Sequence, residues 1–100
     1  MRSKDIVLAA CDWFDVPRDL EEHSRTPHCL HMREIAGWML REEKKLSYPQ
    51  IAAAVGFRSH VSAIYSVRRV NESIALNGGV ERYGRRVEDI ADEIMAAGSG

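Results

Sequence analysis

Apolar residues along the chain recur at three- and four-residue steps, the spacing that lines one face of a helix, and no strand pair is apparent. Ile6, Ala9, Ala10 and Trp13 share a face and predict a first helix over residues 3–14. The polar segment DVPRDLEEHSRTPH carries two prolines and reads as a connection, with a helical turn expected around residues 17–22. A second long helix begins near Pro27 or His28, and Leu30, Arg33, Ile35, Met39 and Leu40 wind through it. Within it Ile35, Trp38, Met39 and Glu42 keep the i, i+3, i+4, i+7 spacing, and the charged run REEKK at 41–45 ends it.

The next stretch, LSYPQIAAAVGF, holds stronger local signals. Ser47 with Gln50 three residues on has the form of a capping box, and Pro49 falls in the first turn, where its missing N–H costs nothing. These predict a short helix over residues 48–55, ended by Gly56 in a left-handed conformation. Ser59 then caps a helix running to about residue 76. Its buried stripe is Ala63, Val67, Val70 and Ile74, with Ser62, Ser66, Arg69 and Ser73 on the other side. Asn77, Gly78 and Gly79 break the chain. A last helix is expected over 80–97, with Val80, Val87, Ile90, Ile94 and Met95 inward and residues 98–100 as a disordered tail. The expected fold is all-α: one domain over 1–97, a compact bundle of about five helices. A short helix, a tight glycine turn and a longer helix form a helix-turn-helix pattern. That pattern leaves GFRSHVSAIYSVRRV, residues 56–70, open between an ordinary bundle helix and the reading helix of a DNA-binding protein.

Charge changes that balance. The net charge of −1 argues against nucleic acid until its distribution is followed. Residues 1–24 hold three basic and six acidic groups, and residues 72–100 repeat that ratio. Residues 25–46 hold five basic and three acidic groups, and residues 47–71 hold three arginines and no carboxylate. A basic centre thus lies between acidic ends, and local charge is what meets a phosphate backbone. With 45% hydrophobic and 29% charged residues the chain can fold around a modest core. No apolar run approaches the ~20 residues that span a bilayer, and a cytoplasmic location is expected.

The N-terminal residues of the second helix of such a motif meet base edges in the major groove. Here they are Arg58, Ser59, His60, Val61 and Ser62. An arginine offers a fork to guanine or clamps a phosphate, His60 can donate, Val61 can pack on a thymine methyl, and serines serve base or backbone. The alternative is a capping serine beside solvated neighbours. Arg68 and Arg69 lie too far along for the same bases, which leaves phosphate contact or an ion pair. Lys44 and Lys45 could grip the backbone beside the short helix or simply be solvated. Cys11 and Cys29 form no motif and read as buried thiols. His23, His28, Cys29 and His31 match no zinc spacing. No catalytic constellation or Walker-type loop appears, so no enzyme activity and no cofactor are expected.

The order of features resembles the C-terminal DNA-binding domain of the bacterial replication initiator DnaA, a Trp-repressor-like helix-turn-helix. SYPQIA at 47–52 and VGFRSHVSAI at 55–64 mirror that family's run of Ser-Leu-Pro-Glu-Ile-Gly and Phe-Gly-Gly-Arg-Asp-His-Thr-Thr-Val. HMREIAGWMLRE at 31–42 is similar to its long arginine-bearing helix, and the resemblance covers about residues 4–95. It implies binding to short duplex DNA boxes, one helix in the major groove and a basic loop reaching the minor groove. Carried over, Arg58 and His60 are kept, Ser62 replaces a threonine, and Pro49 is kept with Ser47 and Tyr48 beside it. Arg33 and Arg41 match basic positions of the long helix, and Arg25 is what remains of the basic loop. Apart from these carried-over positions, Lys45 and Arg69 are expected to hold the DNA backbone. Ser59 stands where the family has aspartate, Val61 where it has threonine, and Phe57 where it has a second glycine. An altered recognition sequence is therefore expected. The implied function is a small double-stranded DNA-binding protein in replication or transcription control, monomer or homodimer, in a bacterial or phage-infected cell. The rival is a protein-interaction module on the same scaffold. A dimer joined through Trp38 or the last helix is a third reading.

Overall fold

Helix α2, Pro27–Lys44, is the element on which most of the others pack in the computed structural model, which describes residues 1–19 and 26–99. It starts where the Thr26 hydroxyl accepts the Cys29 N–H at 3.3 Å and Pro27 opens the first turn. It ends at Lys45, which turns left-handed at φ 54°. Met32, Ile35, Ala36, Met39 and Leu40 project from it into the core and are fully or almost fully buried.

Helices α1, Ser3–Trp13, and α6, Val87–Ser99, pack on each other and on α2. Helices α3, Tyr48–Val55, and α4, His60–Asn77, pack on each other and on α2, and a one-turn α5, Val80–Tyr83, docks on α4. Among the described residues there are six helices and no strand, so the all-α bundle holds with one short helix added. Gly37 lets α3 come close to α2, because a Cβ there would lie 3.2 Å from Ile51 Cγ2. Both cysteines are buried free thiols.

The structure departs from the periodic pattern in four places. The single helix expected over 80–97 is two, because Gly84 adopts φ 79° and closes α5 by donating to the Val80 carbonyl at 2.8 Å. The chain restarts at Val87, whose N–H reaches the Gly78 carbonyl at 2.8 Å. Val87, Ile90 and Ile94 consequently enter the core, whereas Val80 stays 42% exposed. On α4, Ser66 is buried where an outward position was expected. Ala63, Ser66, Val67 and Val70 form an i, i+3, i+4, i+7 stripe that a side chain this small can join, and Ile74 beyond it is only half-buried. Residues 17–19 are not helical, and the rest of the turn expected at 17–22 lies outside the described residues. At the other end α6 continues to Ser99, and Gly98 lies against Met1 and Ala9, leaving no room for a Cβ.

Candidate nucleic-acid interface

The helix-turn-helix is built from local chemistry. Ser47 Oγ accepts the Gln50 N–H at 3.3 Å, and Gln50 Oε1 accepts the Ser47 N–H at 2.9 Å, completing the expected capping box. At the other end of α3, Gly56 takes φ 84°, and the N–H groups of Gly56 and Phe57 both donate to the Ala52 carbonyl, at 3.0 and 2.9 Å. Four residues later α4 begins at His60. Ser59 occupies the cap position, but its side chain makes no cap hydrogen bond, contrary to expectation. The capping residues Ser47 and Thr26 have φ of −71° and −67°, whereas Ser59 sits at −142°.

The result is an exposed helix start with no side-chain cap. Arg58, Ser59 and His60 are exposed, Val61 is 44% exposed and Ser62 is half-buried. Arg58 and His60 make no side-chain hydrogen bond or ion pair among the described residues. Free N–H groups at this end of α4 and the positive end of its dipole favour an anion there.

The start of α3 flanks this surface. Arg41 Nη1 donates to the Leu46 carbonyl at 2.8 Å, and its guanidinium stacks 4.5 Å from the Tyr48 ring centroid. Arg41 therefore braces the entry to α3 and presents Tyr48. Lys45, Ser47 and Pro49 are exposed beside it, and Arg33 is half-buried on α2 with its Nε shielded from solvent. Between Tyr48 and α4 runs a groove of ≈ 370 Å³, lined by Ile64, Val67, Arg68 and Asn71. Trp38 donates through Nε1 to Asn71 Oδ1 at 3.0 Å, so its polar edge is engaged within the chain. Arg25 and His23 lie outside the described residues.

The arginine pair on α4 splits. Arg69 Nη1 donates to Glu34 Oε2 at 3.2 Å, while Arg68 is exposed and unpaired among the described residues. Glu34 has no solvent exposure and is the centre of a polar cluster that the sequence pattern did not reveal. Arg82 grips both its oxygens, with Nη2 at 2.9 and 3.0 Å and Nε at 3.1 Å, and the Tyr83 hydroxyl donates at 3.1 Å. Burial and then the Glu34 charge push the Tyr83 phenol well above its ordinary range. His31 packs edge-on to the Tyr83 ring at 5.1 Å, and burial holds its pKa below the usual value. A carboxylate inside the apolar run of α2 was the one sequence signal for this cluster. A second missed residue is Tyr65, 59% exposed on α4 one turn past Val61. No group of metal-binding side chains converges among the described residues, and none of their helices is long and apolar enough to cross a membrane.

Comparison with known proteins matches this architecture to one family. The family model described as bacterial dnaA protein helix-turn-helix matches residues 3–70, which include α1 through the first half of α4. The chain is 32% identical over 73 residues to the chromosomal replication initiator protein DnaA of Corynebacterium jeikeium, covering 72% of this chain and 12% of that protein. With the protein of the same name from Citrifermentans bemidjiense it shares 32% identity over 77 residues, 77% of this chain and 16% of the relative. With that of Campylobacter jejuni it shares 23% over 92 residues, 91% of this chain and 20% of the relative. The chain thus spans a fifth or less of the length of these curated relatives. It belongs to the bacterial DnaA helix-turn-helix family.

Proposed function

We propose that this chain is a non-enzymatic double-stranded DNA-binding module that places the start of α4 in the major groove. The observation that carries this reading is the helix start itself: Arg58, Ser59, His60 and Val61 are exposed, and the Arg58 and His60 side chains have no partner among the described residues. A membership shared with replication initiators supports a role at replication origins or at promoters in a bacterial or phage-infected cell. Arg58, Ser59, His60, Val61 and Ser62 read bases. Lys45, Ser47, Tyr48 and Pro49 approach the backbone at the start of α3, with Arg33 and Arg41 behind them on α2 and Arg25 two residues before α2 in the sequence. Arg69 contributes less than its place beside Arg68 suggests, because it is paired with Glu34.

Titration against random duplex DNA at low salt tests the reading. With about four phosphate contacts, affinity should fall roughly a hundredfold between 50 and 200 mM salt. Absence of binding by the wild type, or undiminished binding by the double variant Arg58→Ala with His60→Ala, would sink it. One observation favours a protein-interaction module instead: Leu76 is 79% exposed and Val80 42% exposed where α4 meets α5. That reading requires no salt-dependent DNA binding and a loss of partner binding on Leu76→Ser.

A further inference from the structure

We propose that the DNA-contact surface extends along α4 beyond its first turn, with Tyr65 reading a base edge and Arg68 holding a phosphate. This rests on the DNA-binding reading above. On a helix of 3.6 residues per turn, Val61, Tyr65 and Arg68 fall within about 60° of one another. All three are exposed, Tyr65 by 59%. They form one continuous strip with the helix start.

The spacing suits a duplex. Tyr65 lies about 6 Å along the helix from Val61, close to two base steps, and Arg68 about 10 Å from it. The phenol hydroxyl is both donor and acceptor, so it can pair with the amino or carbonyl edges displayed in the major groove. Tyr65 makes no hydrogen bond among the described residues, so this hydroxyl is available. A large aromatic side chain standing in solvent with its polar tip free is the type that interfaces use.

Electrostatics select duplex DNA as the occupant. Residues 47–71 contain three arginines and no carboxylate. Of the two arginines at 68 and 69, only Arg68 lies on the strip; Arg69 is about 100° round the helix and neutralises Glu34. Glu72, one turn past Arg68 on the same face, is the first carboxylate and would repel a phosphate, so it ends the strip. The contact surface therefore runs from Arg58 to Arg68 and leaves the C-terminal half of α4 free.

Duplexes selected by the wild type from a random pool, followed by anisotropy titrations on the selected site and its single-base variants, test the proposal. Tyr65→Phe should weaken binding about fivefold. It should also erase discrimination at a base pair about two steps from the one that Val61→Thr affects. Arg68→Gln should weaken binding evenly across sequences and make the log–log salt slope shallower by about 0.9. Both side chains are exposed, so thermal melts of the variants should match the wild type. If the wild type selects a site but Tyr65→Phe and Tyr65→Ala keep its base preferences, or Arg68→Gln keeps its salt slope, this inference is overturned while the DNA-binding reading stands. Failure of the wild type to bind any duplex overturns both.

Discussion

Glu34 illustrates how much one residue can commit its neighbours. A carboxylate without solvent contact is costly unless its charge and lone pairs are met. Here Arg82 meets both oxygens, Tyr83 one and Arg69 the other. The two arginines are unequal, since Arg82 makes three of these contacts from a 30% exposed side chain and Arg69 makes one from a 50% exposed one. Arg82→Met should therefore cost about 3 kcal/mol, by leaving a buried charge under-compensated. Arg69→Ala should cost about 1 kcal/mol. Urea unfolding would show both as midpoint shifts with the slope unchanged, and equal shifts would contradict this division. The sequence shows why Arg69 was expected on a phosphate. Its partner lies 35 residues upstream and Arg82 lies 48 residues from Glu34, so nothing local distinguishes Arg69 from Arg68.

At the scale of elements, the same residue type in the same place behaves differently. Ser47 and Ser59 both precede a helix, yet only Ser47 has a glutamine at the third helical position to complete a reciprocal cap. Ser47→Ala should destabilise the fold by about 1 kcal/mol. Ser59→Ala should stay within about 0.5 kcal/mol, because no cap bond is lost. Thermal or urea melts of the two variants, compared side by side, check the contrast; a comparable loss at Ser59 would mean that its hydroxyl does cap in solution. The bounds of α3 were legible because every signal that sets them, the capping box, Pro49 and Gly56, lies within ten residues. The break at Gly84 was not. Val80 and Val87 sit seven apart and continue the helical period through the glycine, which a helix tolerates. What ends α5 is tertiary: Arg82 and Tyr83 are drawn to Glu34, and Val87 is drawn into the core. Burial of Ser66 was likewise invisible to a pattern that counts serine as polar.

For the whole molecule, the acidic first turn of α6 and the start of α4 lie at opposite ends of α4. Helices α1 and α6 pack together, and α6 begins at the C-terminal end of α4, where the Val87 N–H bonds the Gly78 carbonyl. That end is about 27 Å along α4 from its start. In a body measuring 32 × 31 × 27 Å, the first turn of α6, with Glu88 and Asp89, therefore stands at the far end of α4 from Arg58. Such a charge separation repels DNA at long range while orienting the approach. Asp89 and Asp92 are exposed and form no ion pair among the described residues, so Asp89→Asn with Asp92→Asn removes charge without breaking a contact. The Debye length is about 30 Å at 10 mM salt and about 8 Å at 150 mM. The double variant should therefore bind duplex DNA more tightly than the wild type at about 10 mM salt and equally at about 150 mM. Its preferences among single-base variants should not change at either salt. A gain in affinity that persists at 150 mM would instead place α6 against the duplex and require a docking geometry other than the start of α4 in the major groove.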